Sequence, residues 1–202
     1  MADPVLAQDS SGHVNWPSQE LIESFLDQFD FEDGIPPSVE DGTDPDSQRH
    51  FRDVLGRFAS GVTVVTSISN GQPVGMTAQS FTSVSLHPPL VLFCPAKTSQ
   101  AWPAMQRAGF FCVNLLSEGQ DEISNKFARR GEEKFAGIPW TPASTGAPLL
   151  DGVLGWVDCT VHAVHEAGDH YVVLGQVQDL GVSDAPHPLL FYRGQYHRTN
   201  QG

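Results

Sequence analysis

Residues 75–93 read GMTAQSFTSVSLHPPLVLF, and this stretch is the most informative part of the chain. It begins with small residues and hydroxyls along an extended run, continues through two prolines, and ends in an apolar strand. Such a run presents backbone N–H groups and hydroxyls with few bulky side chains in the way. It suits a flat ligand with polar edges, although an ordinary strand with its hydroxyls facing solvent has the same pattern.

Strand patterns recur through the rest of the chain. The β-branched run 62–66 is followed by Asn70 and Gly71, a strong hairpin signal. Further strands are predicted at about 74–85, 90–94, 110–116, 153–165 and 171–182. Short helices fit near 99–108 and 119–129, and 136–152 is loop-like. Many strands joined by hairpins, with few helices, predict a closed or nearly closed antiparallel barrel.

A helix is predicted just before the first strand. Apolar residues recur there at the helical spacing i, i+3, i+4 and i+7, from Phe51 to Phe58, and Gly61 ends the pattern. The stretch 56–63 also has the glycine spacing of a phosphate-binding loop. Val62 stands where that motif needs lysine, and helix precedes strand, so the motif is excluded. No GxGxxG is present, which excludes a Rossmann dinucleotide site.

The negative charge is concentrated at the N-terminus. The net charge is −13, yet residues 1–48 hold 12 acidic residues and no Lys or Arg, whereas 49–202 hold 12 acidic and 11 basic residues. We therefore expect two parts: an acidic, flexible extension over 1–48, and a domain over 49–200. Within the extension, Ser18 could cap a short amphipathic helix containing Leu21 to Phe29. That helix either docks on a partner or on the domain's own surface, or the whole segment is a solubilising, mostly disordered leader.

Composition excludes several classes of function. No basic stripe is present to neutralise phosphates, so nucleic acid is not an expected partner. No run of 18 apolar residues and no signal-peptide pattern occurs, so we expect no membrane association and a cytoplasmic location. The sequence predicts buried free thiols for all three cysteines, because each lies in an apolar, strand-like segment. They are Cys94, Cys112 and Cys159. The histidines have no metal-ligand spacing, and we expect no metal site.

Four segments in order resemble the flavin reductase-like family, which has an FMN-binding split-barrel fold. They are the opening helix and strand 51–66, the stretch 75–99, the turn and strand 168–175, and the closing segment 189–196. Details near residues 93–95 and 134–138 most resemble reductase components of two-component aromatic monooxygenases, including those serving steroid-ring hydroxylation. The resemblance implies a mainly β, antiparallel Greek-key split barrel with a few peripheral helices.

The resemblance also implies which residues contact the flavin. It assigns to the isoalloxazine ring and ribityl chain Thr77, Ala78, Gln79, Ser80, Phe81, Ser83 and Val84. Thr98 and Ser99 would meet the flavin phosphate, and Lys97 would add charge unless it is simply an exposed lysine beside a turn. Trp102 would pack near the adenine or ribityl part, or serve as a core or interface aromatic.

The resemblance places nicotinamide near two further segments. His170 matches a catalytic histidine that lies over the flavin where nicotinamide stacks; a surface turn histidine is the alternative. Phe191, Tyr192, Arg193 and Gly194 match a segment that helps hold the nicotinamide nucleotide. Arg193 would pair with a phosphate there, or else cap the last strand.

The implied function is transfer of a hydride from NADH to FAD or FMN, with delivery of reduced flavin to a partner monooxygenase. NADPH is the alternative donor, and the resemblance implies a homodimer. Because the two cofactors carry the chemistry, no acid–base pair or triad is needed. Two alternatives remain open: a split-barrel flavoprotein that retains its flavin and acts on an organic substrate, and a non-catalytic binding module.

Overall fold

The computed structural model of the protein describes residues 44–131, 133–185 and 187–199. The chain divides into two compact units, Met1–Arg49 and His50–Gly202. The described part of the first unit is the start of a helix. There the Asp44 carboxylate accepts hydrogen bonds from the backbone N–H (3.0 Å) and the hydroxyl (3.1 Å) of Ser47, which is N-cap geometry. The amphipathic helix predicted within 1–48 lies outside the described residues.

Three helices and twelve strands occur along the described chain. In order they are α1 (Pro45–Leu55), β1 (Ser60–Gly61), β2 (Thr63–Ser69), β3 (Gln72–Ala78), β4 (Thr82–Leu86), β5 (Pro89–Phe93), α2 (Trp102–Ala108), β6 (Phe110–Leu115), α3 (Asp121–Ala128), β7 (Trp140–Pro142), β8 (Pro148–Leu150), β9 (Gly155–Ala167), β10 (His170–Val182), β11 (Leu190–Tyr192) and β12 (Gln195–His197).

Seven antiparallel strands form the main sheet, in the order β3-β2-β6-β9-β10-β5-β4. Strands β3 and β4 are consecutive in the chain yet lie at opposite edges of this sheet. Residues 79–81 alone join them, and that short connection spans at most about 14 Å. The sheet must therefore curl until its two edges meet, which produces a barrel split between β3 and β4. The prediction of a mainly β, antiparallel split barrel is confirmed.

The hydrophobic core lies on both faces of β2. Val65 packs inside the barrel with Phe93, Phe111 and Val173, all 0% exposed. Its neighbour Val64 points to the opposite face, because successive strand residues alternate. There it joins a second cluster formed by Val62, Leu116, Phe127, Leu150, Val153 and Leu189. Helix α2 packs on the first cluster through Trp102 and Met105, and α3 packs on the second through Phe127.

Three sequence-based predictions need correction. The helix predicted to run to Gly61 ends at Leu55, because a turn follows it and Ser60–Gly61 pairs with β11 as strand β1. The strand predicted over 74–85 is two strands, because residues 79–81 leave the ladder at the split. The loop predicted over 136–152 contains the hairpin β7–β8. Its strands have three residues each and include prolines, so neither has the length or alternation that predicts a strand.

Buried side chains, more than backbone pairing, hold this hairpin on the barrel. Asn114 is fully buried, and its amide donates toward the carbonyl of Pro148 (3.3 Å) while its Oδ1 accepts from the N–H of Leu150 (2.8 Å). Fully buried Asp158 accepts from the hydroxyls of Ser144 (2.7 Å) and Thr145 (2.6 Å) and from the N–H of Thr145 (2.7 Å).

The cysteines are free, as predicted, and two of the three are fully buried. Burial raises the pKa of Cys159 to about 12 and that of Cys112 further above its ordinary value. Both therefore stay protonated and inert near neutral pH. Cys94 is half-buried. In the part of the chain that the structure describes, no helix is long and apolar enough to cross a membrane.

Candidate active site

At the split between β3 and β4, the backbone N–H groups of residues 79–81 have no strand partner among the described residues. Gln79 and Ser80 are exposed, and Phe81 is half-buried against the barrel core. Within the described residues, the N–H groups of residues 79–81 make no backbone hydrogen bond. Three consecutive N–H groups at a strand edge are therefore available to a ligand with acceptor atoms along one side.

Ser80 fixes the position of this open segment. Its hydroxyl accepts a hydrogen bond from the N–H of Cys94 (2.8 Å) and lies 3.4 Å from the Cys94 carbonyl oxygen. Cys94 follows β5, so this contact ties the connection to the end of the strand that pairs with β4. Beyond it, Ser83 and Val84 are exposed on the edge strand β4, where the ladder contains a bulge between Ser83 and Ser85.

The first two residues of the predicted flavin segment are already engaged within the chain. The Thr77 hydroxyl donates to the carbonyl of Ser124 on α3 (2.6 Å), and the Ala78 carbonyl accepts from the Thr63 hydroxyl (2.7 Å). Ala78 is buried. Any contact from these two residues to a ligand must come through the remaining main-chain atoms.

A hairpin turn carries His170 to the segment that contains Thr98 and Ser99. The N–H of Lys97 donates to the carbonyl of Asp169 (2.8 Å), and the N–H of Tyr171 donates to that of Pro95 (2.9 Å). Ala96 pairs with His170 across an isolated bridge. The structure thus brings together the predicted histidine and the predicted phosphate-binding residues.

Asp169 orients the His170 ring. The Nδ1 atom of His170 lies 2.7 Å from the Asp169 carboxylate, and the hydrogen bond holds the pKa of Asp169 below its ordinary value. Because an ionised carboxylate only accepts, Nδ1 carries the proton and Nε2 is left for a ligand. The histidine side chain is 44% exposed, so this nitrogen is reachable from solvent.

Lys97 is paired inside the chain. Its ammonium lies 2.8 Å from the Glu166 carboxylate and 5.6 Å from the centre of the Tyr171 ring. The hydrogen bond to Glu166 raises the pKa of Lys97 and lowers that of Glu166. Its main observed role is to brace the His170 hairpin against the 95–99 segment.

Trp102 lies in the core and is 2% exposed. Its ring meets Phe93 edge-on (5.9 Å between centroids) and Tyr171 at a tilt (6.2 Å). Its backbone N–H donates to the hydroxyl of Ser99 (3.2 Å), and its indole N–H has no partner among the described residues. Of the alternatives left open by the sequence, the structure supports the core aromatic beneath Tyr171.

The closing segment belongs to a separate three-stranded sheet, β1-β11-β12. Phe191 and Tyr192 lie on β11, and Arg193 and Gly194 form the exposed turn to β12. The N–H of Arg193 donates to the carbonyl of Gly56 (2.9 Å) just after α1. In the described residues, the Arg193 guanidinium makes no ion pair.

Helix α3 connects this sheet to the flavin segment. The Tyr196 hydroxyl lies 2.8 Å from the hydroxyl of Ser124 and 3.0 Å from the side-chain oxygen of Asn125. Ser124 is fully buried and accepts from Thr77 through its carbonyl. The closing segment and the predicted flavin segment are therefore joined through Ser124.

The open segment fits the polar edge of an isoalloxazine ring. That edge carries N5, O4, N1 and O2, which accept hydrogen bonds, and the segment offers unpaired N–H groups of residues 79–81 together with the Ser83 hydroxyl. Among the described residues no cluster of His, Cys, Asp and Glu could hold a metal ion.

Sequence reasoning missed the residues that support the site. Asp169 stands beside His170 in the sequence, and that adjacency was a usable signal. Ser124, Tyr196 and Glu166 lie far from their partners in sequence, and no spacing rule points to them.

The fold and site define a class of protein: a split barrel whose strand edge presents unpaired N–H groups suited to a planar, acceptor-rich ligand. A model of the flavin reductase like domain matches residues 55–200, and the chain belongs to that family.

The chain is also similar in sequence and in structure to known flavin reductase components. The chain is 52% identical over 148 residues to the reductase subunit HsaB of a flavin-dependent monooxygenase from Rhodococcus jostii, covering 73% of this chain and 76% of that protein. The crystal structure of nitrilotriacetate monooxygenase component B from Mycobacterium thermoresistibile matches with 52% identity and a TM-score of 0.74, covering 76% and 87% of the two chains. The NADH:FAD oxidoreductase SgcE6 of Streptomyces globisporus, in complex with NAD and FAD fragments, matches with 37% identity and a TM-score of 0.73, covering 78% and 95%.

Proposed function

We propose that the split between β3 and β4 is where this flavin reductase passes a hydride from NADH to a flavin, for delivery to a partner monooxygenase. The observation that carries the site assignment is the juxtaposition of the open N–H groups at 79–81 with the His170 hairpin, both tied to residues 94–97. A flavin bound there supplies the acceptor for the hydride that leaves the nicotinamide.

The chain's own residues would bind and orient the two nucleotides. Residues 77–81 with Ser83 and Val84 would hold the ring and ribityl chain, and Thr98 and Ser99 would hold the first phosphate. His170, fixed by Asp169, would position the nicotinamide. Lys97 and Trp102 would support the hairpin that carries His170, through their contacts with Glu166 and Tyr171. This work is positioning, which lowers the entropic part of the barrier.

We further propose that the protein acts as a homodimer. Support comes from the apolar stripe on α1, where Phe51 is 64% exposed and Leu55 is 55% exposed, and from Phe58 in the turn beyond it, which is 81% exposed. Contiguous apolar surface of this kind marks interaction sites. The cytoplasm is the proposed location, consistent with the unpaired cysteines.

The test of the site uses His170→Ala, with His165→Ala, an exposed neighbour on β9, as the matched control. We expect kcat with NADH to fall roughly 10- to 100-fold, since the nicotinamide loses its positioning contact, while flavin affinity is kept. Steady-state turnover and flavin titration measure the two effects. Unchanged turnover in His170→Ala would remove this residue from the site.

A further inference from the structure

Helix α3 contacts both the predicted flavin segment and the closing strands, and it does so through the same residue. The Ser124 carbonyl accepts a hydrogen bond from the Thr77 hydroxyl on β3 (2.6 Å), and the Ser124 hydroxyl lies 2.8 Å from the Tyr196 hydroxyl on β12. Ser124 is fully buried, so neither contact is open to water on the helix side. A chain of side-chain contacts therefore leads from Tyr196 to the strand that ends at the open N–H groups.

The Tyr196 hydroxyl bridges two neighbouring residues of α3. Besides its contact with Ser124, it lies 3.0 Å from the side-chain oxygen Oδ1 of Asn125. A phenol has one proton and an amide oxygen only accepts, so the phenol donates to Asn125 and the Ser124 hydroxyl supplies the proton of the other contact. Removing the phenol oxygen would therefore take away the hydrogen-bond acceptor of a fully buried hydroxyl, which is unfavourable.

Helix α3 also packs on β3 with no spare room. A Cβ built at Gly75 would lie only 2.5 Å from Cε1 of Phe127, and Phe127 is 1% exposed. Close-packed interiors transmit a displacement from one element to the next. A shift of α3 must therefore move β3, and the open segment 79–81 begins directly after the last residue of that strand, Ala78.

We propose that Tyr196 and Ser124 are positioning residues for the flavin. Through the Thr77 hydroxyl they fix the end of β3, and so the place at which the N–H groups of residues 79–81 are presented. Neither residue is expected to contact the flavin itself. The proposal rests on the proposed function, since it takes the split between β3 and β4 as the flavin site.

The test uses Tyr196→Phe in the full chain. The variant keeps the ring, which packs edge-on against Phe191 (5.4 Å between centroids), and removes only the hydroxyl. We expect the Kd for FMN and for FAD to rise about fivefold, the size of one lost hydrogen bond. We expect kcat at saturating flavin and NADH to stay within about twofold of the wild type, because the His170 hairpin is tied to residues 95–97 and not to α3.

Ser144→Ala is the matched control. It also removes one hydroxyl contact to a buried group, the 2.7 Å hydrogen bond to Asp158, but on a hairpin that holds no residue of the proposed site. Urea denaturation compares the stability of the two variants, and circular dichroism checks their folding. We expect Ser144→Ala to lower stability and to leave the Kd for flavin unchanged. An equal rise in Kd in both variants would overturn the proposal, because general loss of stability would then explain the effect.

The variant Thr77→Val tests whether Tyr196 acts through Thr77. It keeps the shape of the side chain and removes the hydroxyl that reaches Ser124. If the two residues belong to one connection, their effects on Kd are not additive. We expect the double variant Thr77→Val, Tyr196→Phe to bind flavin within about twofold of Thr77→Val alone. Effects that simply multiply would overturn the proposal.

Two further outcomes separate this proposal from the proposed function. A rise in KM for NADH with the Kd for flavin unchanged would overturn the proposal, by assigning Tyr196 to the nicotinamide nucleotide. Fluorescence titration of FMN measures the Kd without turnover. If the wild type bound FMN but oxidised no NADH, the proposed function would fail, whereas a higher Kd in Tyr196→Phe would still support the positioning role.

Discussion

Gly175 on β10 lies against the ring of Phe111, where only a hydrogen atom fits. A Cβ built at this position would lie 2.4 Å from Phe111 Cζ and 3.1 Å from Cys159 Cβ. Phe111 is fully buried and cannot move aside freely. We expect Gly175→Ala to lower the free energy of unfolding by about 1–3 kcal/mol, as overpacked cores do.

Urea denaturation measures this loss, with Gly61→Ala as the matched control. Gly61 is also a strand glycine, but a Cβ there meets nothing within 4 Å. Equal stability of the two variants would contradict the packing described for the barrel interior.

The contacts of some single residues could be predicted from the sequence, and those of others could not. The open N–H groups at 79–81 follow from a local run of small residues, and the position of His170 follows from its turn. The engagement of Thr77 by Ser124 joins residues 47 positions apart. Contacts of that kind depend on how α3 packs, which local pattern does not encode.

At the scale of elements, the hairpin β7–β8 depends on Asp158. Three donors from Ser144 and Thr145 converge on this fully buried carboxylate. In Asp158→Asn, one acceptor oxygen is replaced by an amide N–H₂ facing donors. We expect a loss of about 1–3 kcal/mol in the free energy of unfolding.

Chemical denaturation again provides the measurement, and Asp151→Asn, an exposed change in the same region, is the control. Unaltered stability of Asp158→Asn would show that the hairpin is held by other contacts. This dependence also explains why sequence patterns missed the hairpin: its strands are too short for periodicity, and buried polar side chains attach it to the barrel. The strands β9 and β10, by contrast, have 13 residues each, and both were predicted within two residues at each end.

In the molecule as a whole, the exposed apolar stripe on α1, which includes Phe51 and Leu55, is the surface that we expect a second subunit to cover. We expect Phe51→Glu combined with Leu55→Glu to convert a dimer into a monomer, because each change places a charge in a desolvated apolar contact. Sedimentation equilibrium measures the mass, with Gln106→Glu on α2 as the control. A wild-type protein that is monomeric at every concentration would contradict the proposed dimer.

We conclude that this chain reduces a diffusible flavin with NADH. The most direct test follows the absorbance of NADH and NADPH with the purified full chain, first without flavin and then with added FAD or FMN. We predict fast NADH oxidation that requires added FAD or FMN. Absence of turnover with every pair of donor and flavin would contradict the proposed flavin reductase activity and would favour a flavin-retaining enzyme or a binding module instead.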